Sequence, residues 1–78
     1  MPTILRVEGF QFFFFAADRN EPPHIHVEKG DGAAKFWLNP IELVHYRKFK
    51  KQEIKRVREI IEENQHFLME KWNEFFSK

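Results

Sequence analysis

Cysteine is absent from this chain of 78 residues. Disulfide staples and thiolate metal sites are therefore excluded, and a small core has to be held by packing or by a partner. Glycine is scarce at three residues and proline at four, so each marks a specific place where the chain turns or a strand stops. No run approaches the roughly 20 apolar residues that cross a bilayer as a helix. The opening MPTILRVEG has no basic head, long apolar run or small-residue cleavage site. Its expected setting is the cytoplasm, with no membrane association. Net charge gives little direction, at +1.

What is abundant is aromatic: ten Phe, two Trp and one Tyr. Rings bury large areas each, so a chain near the lower size limit of a self-supporting domain can still fill a core with them. The expectation is one domain over residues 1–78. Charge is also uneven. Seven of the thirteen basic residues lie between Arg47 and Arg58, while Glu59, Glu62, Glu63, Glu70 and Glu74 dominate the last quarter of the chain.

Residues 4–8 and 10–16 read as strands joined by a Glu8-Gly9 turn. That pairing puts Val7 opposite Phe10, gathers Leu5, Val7, Phe10, Phe12 and Phe14 on one face, and leaves Arg6, Gln11, Phe13 and Phe15 on the other. ADRNEPP reads as loop, with Asp18 and Asn20 as turn formers. Strands at 24–29 and 33–39 flank Gly30-Asp31-Gly32. Taking Asp31-Gly32 as the turn pairs Glu28 with Lys35, His26 with Trp37 and His24 with Asn39, all on one side. Ile25, Val27, Ala34, Phe36 and Leu38 then form the core face.

Pro40 ends the fourth strand, and residues 41–46 suit either a fifth strand or an irregular link. From about 51 to 76 the period becomes helical, with Ile54, Val57, Ile61, Leu68, Trp72, Phe75 and Phe76 on one stripe. Asn64 and Gln65 interrupt that stripe while Ile60 and Phe67 fall off it, which marks residue 64 as a candidate bend. The basic start has no good capping side chain, although Arg58 has Glu62 one turn on. The expected fold is α+β: a four- or five-stranded antiparallel β-meander packed on one face by a long carboxy-terminal helix.

One helix covers one face. The other carries Arg6, Gln11, Phe13, Phe15, His24, His26, Glu28, Lys35, Trp37 and Asn39, an aromatic patch with a polar rim of a kind that soluble monomers seldom leave unused. Three occupants fit: a second copy, in a homodimer; single-stranded RNA or DNA stacked on the aromatics, with Arg6, Lys35 and the Arg47 to Arg58 cluster, including Lys51, Lys55 and Arg58, toward phosphates; or solvent, with the end of the helix covering some of the rings. His24 and His26 also suit general acid–base chemistry beside Lys35 or Arg6, as in small ribonucleases. A metal is not expected, because His24, His26 and Glu28 form a flat row that needs a converging ligand from elsewhere. No cofactor motif is present.

MPTILRVEGFQFFFF, NEPPHIHVEKGDGAAKFWLNPIEL and the terminal EKWNEFF together resemble the bacterial family catalogued as domain of unknown function 4160. PPHIHV, GDG, AKFWL and the segment around Trp72 carry the match. The resemblance implies one complete small member with no assigned activity. Members are suspected components of toxin–antitoxin-like gene pairs, which implies a protein partner encoded by a neighbouring gene and a nucleic-acid target. A ribonuclease-like toxin using His24 or His26 is the rival implication.

Overall fold

The computed structural model describes residues 3–16 and 20–76; Asp18, expected to be a turn former, lies outside them. Five strands, β1 (Thr3–Val7), β2 (Phe10–Phe13), β3 (His24–Lys29), β4 (Gly32–Leu38) and β5 (Ile41–Arg47), precede helices α1 (Lys51–Glu63) and α2 (Gln65–Phe76). The sheet is an antiparallel meander in chain order, β1-β2-β3-β4-β5. Both helices pack on one face of it, giving the α+β architecture. Residues 41–47 are a full strand, and β2 ends at Phe13 rather than at residue 16.

The first turn follows the alternation of the sequence. Glu8 and Gly9 both have left-handed φ, 55° and 85°, as the primed hairpin turn demands, and Val7 faces Phe10. The second turn differs from the sequence reading. Gly30 and Asp31 make it, with Gly30 at φ 59°, and Gly32 is the first residue of β4. Glycine at the first central position suits a II′ hairpin. The reason lies above Gly32. Lys48 turns left-handed at φ 55° and drops Phe49 onto the glycine, where a Cβ would meet the ring at 2.4 Å. A side chain cannot fit there, so this glycine serves packing rather than the turn.

Moving the turn changes every partner by two residues and leaves every face unchanged, because side chains alternate with period two. His24 therefore faces Trp37, His26 faces Lys35 and Glu28 faces Ala33. The expected His26–Trp37, Glu28–Lys35 and His24–Asn39 pairs do not form.

The core is the predicted face: Phe10, Phe12, Phe14, Ile25, Val27, Ala34, Phe36 and Leu38, met by Val57, Ile60, Ile61, Leu68 and Trp72. Each fully buried side chain of this size contributes roughly 1.5–3 kcal/mol relative to exposure. The predicted single helix is two. A straight rod of 26 residues would be about 39 Å long, beyond the 36 Å long dimension of the molecule. At the break, the Asn64 backbone N–H and side-chain amide both donate to the Ile60 carbonyl, at 3.1 and 2.8 Å. Gln65 Nε2 donates to the Leu38 carbonyl at 2.6 Å. The two polar residues in the apolar stripe thus close one helix and tie the next to the end of β4. The change of direction buries Ile60 and leaves Phe75 at 36% exposure, the reverse of an uninterrupted stripe.

Candidate functional site

The face away from the helices is built from cross-strand rows. Register places Arg6, Gln11, Glu28, Ala33 and Arg47 in one row and Thr3, Phe13, His26, Lys35 and His45 in the next. His24, Trp37 and Glu42 form a third. Two bulges decide its edges. Between Lys35 and Phe36 the β4–β5 register shifts by one, so His45 and Arg47 occupy the open face where an unbroken ladder would put Val44 and Tyr46. At the other edge, a shift between Thr3 and Leu5 brings Thr3 opposite Phe13 and sends Ile4 toward the core. Bulges commonly occur at sheet edges, where they re-aim side chains.

The centre of the face is aromatic. Phe13 is stacked on His26 with centroids 5.8 Å apart, and Phe15 meets both, at 5.2 Å from Phe13 and 4.5 Å from His26. Phe13 is 8% exposed beneath this arrangement, and Phe15 remains 39% exposed on top of it. Two shallow depressions share Phe13, Phe15 and Glu28 as a common wall. One of about 260 Å³ adds Thr3 and Gln11. The other, of about 300 Å³, adds His26, His45 and Arg47 over the alanines of β4.

His24 is placed differently from His26. It is 0% exposed, with its ring 5.6 Å from Trp37 and 5.2 Å from Trp72. The chain end of α2 thus reaches around the start of β3. Nδ1 of His24 lies 2.9 Å from the Pro22 carbonyl, which only accepts, so Nδ1 carries the proton. The histidine beside Trp37 is therefore His24, edge-on and buried. His24 is thus packed among rings in this structure, whereas His26 stands at the aromatic centre of the open face.

Lys35 is also occupied. Its Nζ donates to Glu21 Oε1 at 2.7 Å and lies 5.0 Å from the centre of the Trp37 ring. The side chain is 14% exposed. Glu21, from the loop before β3, supplies the carboxylate that the sequence reading assigned to Glu28.

The basic start of the helix lies on the far side of the sheet. Lys51, Lys55 and Arg58 are exposed, and Arg58 donates to the Ile41 carbonyl at 2.9 Å and faces Glu62 at 3.7 Å. Lys50 N–H finds an acceptor in Glu53 Oε1, 2.9 Å away, which answers the missing cap. The Arg56 guanidinium donates to both carboxylate oxygens of Glu8 and also faces Glu59 and Glu63. This bonding holds the Glu8 carboxyl below its ordinary range and raises the Arg56 guanidinium. The expected single surface of sheet face plus helix start is thus two surfaces with the sheet between them. Among the described residues, Arg6 and Arg47 have no carboxylate within ion-pair distance, in contrast to Arg56 and Arg58.

Among the described residues no group of three or more metal-capable side chains converges, and no helix is long and apolar enough to cross a membrane. A family model described as Domain of unknown function (DUF4160) matches residues 9–73. No curated protein matches the chain, and no solved structure does.

Proposed function

The chain belongs to the DUF4160 family of domains of unknown function, and from that premise we propose that it is an interaction component acting through the open face of its sheet. The toxin–antitoxin-like gene pair is the setting this reading adopts, in the cytoplasm, with the neighbouring gene supplying the protein partner. One observation carries the reading: the helices cover one face of the sheet, and the opposite face holds the Phe13–Phe15–His26 cluster between Arg6 and the His45–Arg47 edge. Apolar rings gathered on a surface and rimmed by polar groups are the usual composition of a recognition site.

Placement of the helix start narrows the reading to the sheet face. Lys51 and Lys55 are on the other side, so they serve as controls. The test co-purifies the chain with the product of its neighbouring gene and measures the mass of the complex in solution. Phe15→Asp or Arg47→Glu is expected to dissociate it, while the Lys51→Glu, Lys55→Glu pair leaves it intact. A complex indifferent to the face variants and lost in the helix variants would overturn the assignment. A homodimer through the same face is the other mass outcome that supports it, provided Phe15→Asp gives the monomer.

The ribonuclease reading uses His24 or His26, of which His26 lies in the aromatic cluster of the open face. Incubating the purified protein with single-stranded RNA separates the two: intact RNA agrees with an interaction component, and cleavage that disappears in His26→Ala would replace it with an enzyme.

A further inference from the structure

The two depressions on the open face differ in chemistry while sharing a wall, and this identifies an occupant. The first offers rings with an amide, a hydroxyl and a carboxylate: Phe13, Phe15, Gln11, Thr3 and Glu28. The second offers two imidazoles and a guanidinium: His26, His45 and Arg47. A planar heterocycle with donors and acceptors on its edge suits the first, since Gln11 presents both kinds of group and Glu28 accepts from a ring N–H such as that of uracil or thymine. An anion suits the Arg47 end of the second, with Glu28 keeping the negative group away from the shared wall.

Charge on this face points the same way. Lys35 is already neutralised by Glu21, whereas Arg6 and Arg47 have no carboxylate in ion-pair range among the described residues. They stand at opposite ends of one row, Arg6-Gln11-Glu28-Ala33-Arg47. Four inter-strand steps separate them, about 19 Å at 4.7–4.9 Å per step. That span exceeds one nucleotide and matches a short extended strand laid across the sheet.

We infer that this face binds a single-stranded polynucleotide crossing the strands, with a base on Phe15 against Gln11 and Glu28 and phosphates at Arg47 with His45 and at Arg6. This rests on the open face being the interaction surface and gives it a nucleic-acid ligand that competes there with the protein partner. Bases stack on aromatic rings irrespective of sequence, and arginines at the margins follow the backbone. The same ring-and-phosphate chemistry would be offered by an RNA strand, a DNA strand or a free nucleotide.

Fluorescence anisotropy with labelled oligouridylate and oligothymidylate of about ten nucleotides tests this, with uridine monophosphate as competitor. At physiological salt both oligomers are expected to bind in the range of roughly 10⁻⁴ to 10⁻⁶ M, and more tightly at low salt, with log K falling against log salt at a slope near −0.7 per phosphate held, so about −1.4 for two. Arg47→Ala and Arg6→Ala should each flatten that slope by about 0.7. Phe15→Ala should weaken binding by about 5- to 150-fold, and thermal unfolding of each variant confirms that it is folded. The Lys51→Ala, Lys55→Ala pair should change affinity less than either arginine variant.

A preference between the two oligomers assigns the natural source as RNA or DNA and supports the inference in either case. Absence of binding at low salt overturns it. So does a helix-side variant that loses as much as Arg47→Ala, or a monophosphate that competes at the oligomers' own concentration. If the oligomers fail to bind while a protein partner or second copy is displaced by Phe15→Asp, this inference falls and the interaction reading stands. If both fail, the interaction reading falls as well.

Discussion

Replacing Gly32 by alanine adds one methyl group to a strand and separates two accounts of the GDG segment. In the structure the added carbon would lie 2.4 and 2.5 Å from two ring atoms of Phe49 and 2.9 Å from the Lys48 carbonyl oxygen. Real carbons do not approach so closely, so the Phe49 ring has to leave its edge-on contact with Phe10, 5.8 Å away. Overpacking of this kind costs about 1–3 kcal/mol. For a domain of this size each kcal/mol lowers the melting temperature by about 4–8 °C, so Gly32→Ala should melt roughly 4–24 °C early by far-ultraviolet circular dichroism.

Phe49→Ala supplies the internal control. It is destabilising by itself, but in its background most of the Gly32→Ala cost should disappear, leaving the part due to the Lys48 carbonyl. That carbonyl opposes the roughly 0.5–1 kcal/mol that alanine gains over glycine in a strand. Gly30→Ala should behave otherwise. Nothing lies within 4 Å of a Cβ there and its φ is 59°, so its cost is the conformational 1–2 kcal/mol or so of a left-handed residue. Phe49→Ala should not relieve it. An unchanged melting temperature for Gly32→Ala, or coupling of Phe49 to Gly30 instead of Gly32, would refute the Gly30-Asp31 turn and the register that depends on it.

Three further perturbations address the rest of the fold. Phe14→Ala removes a ring that meets Trp72, Phe75 and Phe76; a loss of about 3–5 kcal/mol should show in urea titration as a large drop in midpoint. Gln65→Ala removes the bond to the Leu38 carbonyl and should cost about 0.5–1.5 kcal/mol, detectable as a lower midpoint with unchanged slope. Glu8 has its folded pKa lowered, first by the hydrogen bond from Arg56, so its contribution is present above the ordinary carboxylate value near 4.3 and is lost as pH falls through the folded value. The stability difference between wild type and Glu8→Gln should therefore be constant near neutrality and shrink in acid; a difference that grows in acid would contradict the ion pair.

The sequence carried the faces of the sheet more securely than its pairings. Alternation in ILRVE, FQFFFF, HIHVEK and AAKFWL decides which residues are buried, and a wrong turn in GDG leaves that decision untouched because the error is two residues. The pairings depended on Phe49, a residue distant in sequence whose ring needs the space over Gly32. Local turn propensity cannot report that. The break at Asn64 was visible as polar residues within an apolar stripe, although what they do, closing one helix and binding β4, needed the fold.

The candidate site shows the same division. Arg6, Phe13, Phe15 and His26 were legible from period two alone. His45 and Arg47 reach the open face through the one-residue shift in β5, and a bulge leaves little local trace in IELVHYR. Period two puts His24 on the correct face, but its burial comes from Trp72, nearly fifty positions later in the chain. Clustering in sequence suggests that the lysines of α1 share the face, and the intervening sheet separates them from it.

The most direct measurement of the central claim is a two-dimensional amide spectrum of the isotopically labelled protein, titrated at low salt with an oligouridylate of about ten nucleotides. Shifts concentrated on Gln11, Phe13, His26, Glu28, His45 and Arg47, with Lys51 to Lys55 unmoved, are the predicted result. Shifts centred on the start of α1, with the sheet face silent, would contradict it.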